Sequence, residues 1–378
     1  MADFQRFAPE ARAHLKKGPG LWVKLRLDPV ILVLVMVIMA FGLMVLYSGS
    51  GASEAAINKQ LIRYGAALFA MIFVTQISLR NIQRWAPLGY LLGLALLLSV
   101  LFFGVGAKGA QRWLDLPGLP RFQPSEVMKL IVPITVAWYL ASRPRPPLLV
   151  HILVALALVV IPVLLIAKQP DLGTALLVAS SGFFVIFFAG ILWRYLIAGV
   201  VLGASGLPLL WMSMREYQQQ RVLTFLDPES DPLGAGWNII QSKIAIGSGG
   251  INGKGWLQGT QSHLDFLPET HTDFIVAVLA EEFGLIGVCL LLGLYFLVLV
   301  RGLMIAANAA HPFDRMLAAS LTLTFFVYVM VNIGMVSGLL PVVGVPLPLV
   351  SYGGTSAVTL MVSLGFLMSI HARRPQRT

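Results

Sequence analysis

Apolar residues gather in long, unbroken blocks separated by short stretches carrying Arg, Pro, Gly or acids, with no sustained strand-like alternation. A block of about 20 residues, wound as a helix rising about 1.5 Å per residue, crosses a hydrocarbon layer of about 30 Å. Ten such blocks fall at residues 29–47, 61–77, 86–103, 125–141, 149–167, 172–191, 195–212, 274–306, 315–339 and 353–370. Backbone polar groups inside lipid must be satisfied within the crossing segment, so helices are the expected form. The pattern predicts an all-α polytopic membrane protein with about ten transmembrane helices in one domain, 29–370, between an N-terminal tail, 1–28, and a C-terminal tail, 371–378. The eighth block exceeds what a bilayer requires, so only part of it need sit in lipid. The polar segment 213–273, between the seventh and eighth helices, is the largest loop, and long loops without their own structure are uncommon unless functional. A polar, basic start followed by a full-length apolar block reads as a retained anchor, not a cleaved signal peptide.

Composition strengthens this reading. A mean hydropathy of +0.82, with 57% hydrophobic and 12% charged residues, leaves too little polar surface to cover a soluble domain. The net charge of +10 is compatible with nucleic acid in magnitude, but its placement follows the membrane: sixteen of the 27 Lys and Arg residues lie in the tails and in the loops on the tails' side. The positive-inside rule then puts both termini in the cytoplasm and the 213–273 loop in the periplasm, with no nucleic-acid partner. Trp22, Trp85, Trp193 and Trp211 sit near block ends, as an interfacial belt requires. Cys289, the single cysteine, lies inside the eighth block and is expected to be a small core residue.

The chemistry gathers on the outer side. Three inward-running blocks open with a carboxylate in or near their first turn: Gln123-Pro-Ser-Glu-Val-Met-Lys129, Gln169-Pro-Asp-Leu-Gly-Thr174 and Thr270-His-Thr-Asp-Phe274. Helix capping explains any one of them; three on one face of a membrane protein point to a site. Lys108, Arg112, Arg121, Lys168, Arg215 and Arg221 lie near these ends, and cations beside helix N-termini make an anion site suited to phosphate or pyrophosphate. Glu126 and Lys129 are three residues apart on one helical face and are expected to pair. Glu281 and Glu282 follow Asp273 by about 12–14 Å along a helix and point about 100° apart, so they need separate partners. Within the large loop, Trp237, Ile240, Ile244 and Gly247 form one stripe of a short interfacial helix. The apolar segment 338–356 is too rich in Pro and Gly for a regular helix. Irregular backbone at membrane depth must be covered by protein or line a cavity, and Pro346, Pro348, Ser351, Tyr352, Gly353 and Gly354 are assigned to a loop whose apolar walls suit a lipid tail. His263 and His271 do not have metal-ligand spacing. No tightly bound cofactor is evident, although carboxylate oxygens at Glu126 and Asp171 suit a divalent cation such as Mg or Mn.

Lys108-Gly-Ala-Gln-Arg-Trp113, Gln123-Pro-Ser-Glu126, Gln169-Pro-Asp-Leu-Gly-Thr174, Asp227-Pro-Glu-Ser-Asp-Pro232, the stretch from Phe266 to Phe274, and the run from Asn332 to Ser351-Tyr-Gly-Gly-Thr-Ser356 closely resemble the SEDS family of shape, elongation, division and sporulation proteins. Gly344-Val-Pro-Leu-Pro348 and Gly259-Thr-Gln-Ser262 are more similar to the rod-elongation branch than to the division branch. The resemblance implies a ten-span bacterial inner-membrane peptidoglycan glycosyltransferase that polymerises lipid II at the periplasmic face. It also implies a partner, a class B penicillin-binding protein transpeptidase of the elongation machinery, and Asp273 as the catalytic aspartate. On this expectation Asp273 takes the proton of the acceptor 4-hydroxyl as it attacks the donor's anomeric carbon with inversion. Lys108, Arg112, Lys129 and Arg221 balance the lipid pyrophosphate that leaves, while Glu126 and Asp171 order these cations or hold an ion. A lipid II flippase and a division-branch polymerase are the alternatives.

Overall fold

The computed structural model describes residues 25–107, 110–115, 122–214, 216–227, 235–260 and 270–373. Its helices, in chain order, are α1 (Pro29–Gly49), α2 (Glu54–Gln76), α3 (Leu79–Phe103), α4 (Pro124–Ala141), α5 (Leu149–Lys168), α6 (Leu172–Phe188), α7 (Trp193–Ser213), α8 (Glu216–Leu226), α9 (Ala235–Gly249), α10 (Ile275–Ala307), α11 (Pro312–Val336) and α12 (Thr355–Ala372). A short antiparallel hairpin, β1 (Val105–Ala107) and β2 (Ala110–Trp113), joins α3 to α4. A helix occupies each of the ten apolar blocks. Six of them, α1, α3, α5, α10, α11 and α12, are long and apolar enough to cross a membrane. α2 and α4 are diluted by Glu54, Lys59 and Arg63, and by Glu126 and Lys129, which sit toward the end where the site lies.

Helix starts follow from local chemistry. Asp28 caps α1, accepting hydrogen bonds from the amides of Val30 (2.9 Å) and Ile31 (3.2 Å), with Pro29 filling the first helical position where a missing N–H costs nothing. Asp171 caps α6 through the Thr174 amide. α11 is the most enclosed long helix, lying among α4, α6, α10 and α12, while α2 packs along α12 and α1 along α10. Apolar side chains on the outer faces, such as Phe102, Phe103, Val200 and Leu202, remain exposed, as expected where hydrocarbon replaces water. Cys289 belongs to that exposed surface of α10 and is not a core residue, because the helix's packed stripe passes through Gly287 and Leu291 instead.

α10 is broken at Gly284, whose φ of 62° and ψ of −162° lie outside the range open to other residues. The segment after α9 lies against the break and pairs the backbone groups it frees. Lys254 and Gly255 donate to the carbonyls of Glu281 and Glu282, and Leu285 and Ile286 donate to those of Gly250 and Ile251, at 2.9–3.2 Å. The side chains of Glu281 and Glu282 diverge as their spacing requires. Glu281 accepts from Lys254 Nζ (2.8 Å) and the Thr260 amide (2.8 Å), whereas Glu282 accepts from the Ser48 hydroxyl on α1. α9 is present where expected, but its buried face is Ile239, Ser242, Ala245 and Gly249; the Trp237–Ile240–Ile244–Gly247 stripe lies beside it, with Ile244 exposed.

At the other end of the bundle the fully buried Asp28 carboxylate also accepts two bonds from Arg301 on α10 (3.0 and 2.7 Å), and His371 Nε2 on α12 lies 3.6 Å away. Arg373 meets Asp314 at 3.1 Å. One carboxylate thus closes α1, α10 and α12 together and places both ends of the described chain on the same side. Replacing Asp28 by Ala removes a cap and strands Arg301, and should cost about 3 kcal/mol of stability. Arg301→Ala should cost a similar amount and the double variant little more than either, measured by denaturation of the detergent-solubilised protein. Additive losses would show that the pair does not act as a unit.

Candidate active site

The turn 270–274 leads into α10 and is tied down from three sides. Thr270 donates its hydroxyl to the Gly49 carbonyl at the end of α1 (2.9 Å), and the Tyr352 amide donates to the His271 carbonyl (2.8 Å), with the two rings edge to face at 5.7 Å. The buried amide of Asn332 on α11 donates to the Asp273 carbonyl (3.0 Å) and to the Val345 carbonyl (2.8 Å), stapling the turn to the loop that follows α11. Gly344 of that loop, with φ 70°, faces the Asp273 carboxylate, and a β-carbon there would lie 3.5 Å from Oδ2. Asp273 is half-buried and immediately precedes the cap position, which Phe274 occupies without a side-chain capping bond. Asp273 is therefore not the helix cap that its spacing suggested.

The loop 337–354 is irregular, with Val345 and residues 347–351 buried, and side chains from other helices and from the loop itself satisfy its backbone. Tyr64 of α2 donates to Leu349 O (2.6 Å), Tyr295 of α10 to Pro348 O (2.6 Å), and the Ser351 hydroxyl accepts from the Leu347 amide (2.7 Å). Ser351 thus holds a turn inside the loop, and Gly354 takes the cap position of α12. Pro348 is buried and Pro346 half-buried, as are Tyr352, Gly353 and Gly354 at the C-terminal end, while the exposed positions of the loop are Leu339, Leu340 and Gly344.

A second cluster forms where α4, α6 and β2 meet. Asp171 accepts from Gln123 Nε2 (2.7 Å) and from the Thr174 amide, while the Arg112 guanidinium lies 3.9 Å from Asp171 and donates to the Pro170 carbonyl. One turn into α4, Lys129 donates to Glu126 at 2.6 Å, and its ammonium lies 4.9 Å from the centre of the Tyr328 ring on α11. Both members of this pair are buried, as a charge at membrane depth requires. Glu126 Oε2 is buried with no hydrogen-bond partner among the described residues.

α11 connects the two clusters. Tyr328 and Asn332 are four residues apart on one face, so the helix side that covers Lys129 also holds the Asp273 turn. The connection is repeated at Gly173 in the first turn of α6, where a β-carbon would come within 2.7 Å of the Val343 carbonyl. Beside them lies a cavity of about 520 Å³ bounded by Arg63, Trp113, Gln123, Glu126, Gly354 and Thr355, with apolar walls from Val127 and Val358. The Arg63 guanidinium stacks over the Tyr352 ring at 4.1 Å and also reaches Gln60 Oε1 (3.5 Å).

The structure thus gathers Asp273, Glu126, Lys129, Asp171, Arg112 and the end of the 337–354 loop at one end of the bundle. Lys168 is exposed and apart from the hydrogen-bonded clusters. Lys108, Arg121, Arg215 and His263 lie outside the described residues, and Arg221 sits on α8 with its side chain likewise outside them. No group of three or more His, Cys, Asp or Glu among the described residues could hold a metal ion. Arg63, Tyr328 and Asn332 carried no assigned role in the sequence reading. Their signal was present, a cation, a phenol and an amide inside otherwise apolar helices, but their partners are remote in sequence.

A family model described as a cell cycle protein, spanning FtsW, RodA and SpoVE, matches residues 28–376. The chain is 53% identical to the peptidoglycan glycosyltransferase MrdB of Escherichia coli K12, over 93% of this chain and 95% of that protein. It is 36% identical to a probable peptidoglycan glycosyltransferase FtsW of Geobacter metallireducens, over 92% and 95%. Among solved structures it is similar to a chain of a peptidoglycan synthase complex that coordinates polymerization and crosslinking, with a TM-score of 0.81, 33% identity, and coverage of 92% and 98%. Against the rod shape determining protein RodA of Thermus thermophilus the TM-score is 0.70 at 30% identity, with coverage again of 92% and 98%. The match runs through every described element from Asp28 to Arg373, and the chain belongs to the SEDS family.

Proposed function

We infer that this protein is a peptidoglycan glycosyltransferase of the elongation branch, polymerising lipid II into glycan strands with Asp273 as general base. The observation that carries the reading is the Asp273 turn, held by the Asn332 amide at the same end of the bundle as a cavity with a basic rim and apolar walls. The family membership and the 53% identity to MrdB support the reaction class. A lipid-linked disaccharide needs an apolar slot for its tail, cations for its pyrophosphate and a base for the acceptor hydroxyl, and this end of the bundle offers each. In the proposed reaction the acceptor 4-hydroxyl loses its proton to Asp273 as its oxygen bonds to the donor's anomeric carbon. The bond from that carbon to the pyrophosphate oxygen breaks with inversion, and polyprenyl pyrophosphate leaves carrying the negative charge.

The cations divide their work by their partners. Lys129 is engaged by Glu126 and Arg112 by Asp171, so both act as fixed positive charge behind the site. Arg63 has no carboxylate partner among the described residues and borders the cavity directly, which suits it to meet the departing pyrophosphate. Lys108 and Arg221 complete the proposed anion site from the outer loops. We place this end in the periplasm and the end holding Asp28, Arg301 and Arg373 in the cytoplasm of an inner-membrane protein with ten crossings. The arginines gathered at the latter end support that orientation. The similarity to a chain of a synthase complex that couples polymerization to crosslinking supports a class B penicillin-binding transpeptidase as partner.

A flippase would need polar groups along a path through the bundle. Here the buried carboxylates lie toward the two ends, Asp171, Glu126, Glu281 and Glu282 at one and Asp28 and Asp314 at the other, which favours catalysis at one face. Asp273→Asn should lower glycan-strand synthesis from purified lipid II by about 10²–10⁴-fold with little change in thermal stability. Near-normal polymerisation, or headgroup translocation in liposomes without polymer, would reject the assignment. Asn332→Ala should retain Asp273 but misplace its turn, lowering turnover by about 10²-fold; unchanged turnover would remove the staple from the mechanism.

A divalent cation is best accommodated at Glu126, whose Oε2 has no partner among the described residues, since Asp171 already serves Gln123, Thr174 and Arg112. Chelation followed by Mg or Mn add-back should then restore polymerisation in the native protein at lower metal concentration than in Glu126→Gln. Equal restoration in both would place the ion elsewhere.

A further inference from the structure

At the end of the bundle opposite Asp273, two adjoining cavities of about 280 and 260 Å³ share Arg80 and Arg373. The larger is walled by Arg26, Ser78, Leu79, Arg80, Ser369 and Arg373, bringing three guanidinium groups to one hollow whose lining, among the described residues, contains no carboxylate. Arg373 is answered from next door by Asp314, at 3.1 and 3.3 Å from its Nη1. Arg26 and Arg80 have no hydrogen bond or ion pair from a side chain among the described residues. Arg26 is held with φ 53°, in the left-handed region that a long side chain seldom adopts. α3 begins in the same wall with Ser78 at its cap position and no side-chain capping bond, leaving the first amides of the helix without that acceptor. Like charges converging in this way repel unless an anion lies between them, and the planar fork of Arg matches phosphate oxygens.

The surroundings identify the kind of anion. α2 ends at Gln76, two residues before Ser78, and its last turns carry Phe69 and Phe73, stacked at 6.3 Å and 72% and 59% exposed. Trp85, in the second turn of α3, is 61% exposed, as an interfacial aromatic would be. The basic hollow therefore adjoins surface suited to hydrocarbon. We propose that it binds the phosphate headgroup of an anionic phospholipid from the adjacent leaflet, with Arg26 and Arg80 as the principal ligands and the acyl chains along the exposed flank of α2 and α3. The site is separate from the Asp273 chemistry and stands whether or not that reading holds.

The test uses the delipidated full-length protein in a neutral detergent, titrated with phosphatidylglycerol, phosphatidylcholine or inorganic phosphate and followed by native mass spectrometry. Phosphatidylglycerol should bind more tightly than phosphatidylcholine. Arg26→Gln with Arg80→Gln should weaken phosphatidylglycerol by roughly 30-fold, each single change by about 5-fold, and Arg80→Lys by less than Arg80→Gln. The single variants decide the matter if the double variant does not remain monodisperse. Equal binding of the two lipids, or equal phosphatidylglycerol binding by native and variant proteins, would overturn the proposal. Inorganic phosphate displacing phosphatidylglycerol at comparable concentration would also overturn it, assigning the hollow to a soluble phosphate.

Discussion

Backbone that leaves the helical path inside a bilayer must find its hydrogen bonds within the protein, and this constraint governs how the site is built. Among the described residues, two segments break the rule of continuous helix: the interruption of α10 at Gly284 and the loop 337–354. The first is answered by backbone from 250–255, the second by Tyr64, Tyr295, Ser351 and Asn332. Each repair links parts of the chain that no local preference would bring together. Asn332 serves the loop and the Asp273 turn through the same amide, so satisfying the loop and placing the carboxylate are a single event.

The same economy explains why most of the buried charges in the bundle come in pairs. An unpaired ion at this depth is expensive, and helices in lipid gain no hydrophobic drive to associate, so packing and polar contacts carry a larger share of specificity. Lys129 sits between the Glu126 carboxylate and the Tyr328 ring, Glu281 between Lys254 and Thr260, and Asp28 against Arg301. These contacts join α4 to α11, α10 to the segment after α9, and α1 to α10. The architecture is thus fastened at its two ends, with mostly neutral packing between.

Features set by continuous chain were legible in the sequence. The apolar blocks became helices because any other conformation would strand backbone groups, and Glu126–Lys129 paired because three residues place them on one face. Asp171 capped α6 as its position indicated. Features set by distant chain were not legible. Gly284 looks like any glycine in an apolar run until residues 250–255 are seen against it. Arg63 meets Tyr352 only because α2 and α12 lie side by side, and Cys289 is exposed because of which stripe of α10 packs. Asp273 stood apart from Glu126 and Asp171 only through the family resemblance, and its spacing left capping open, since periodicity cannot distinguish the cap from the residue before it.

That one-residue difference separates Asp273 from the other two acids at the helix starts. Asp171 holds an amide of α6, the Gln123 side chain and the Arg112 guanidinium, and accepting a proton would require it to yield contacts that position α4, α6 and β2. Glu126 carries the charge that makes a buried Lys129 tolerable, and neutralising it would leave that ammonium uncompensated. Asp273 is held through its backbone carbonyl, by Asn332, and no capping duty falls on its carboxylate. Asp171 and Glu126 thus join neighbouring elements through their side chains, and the Asp273 turn is joined to α11 through its backbone.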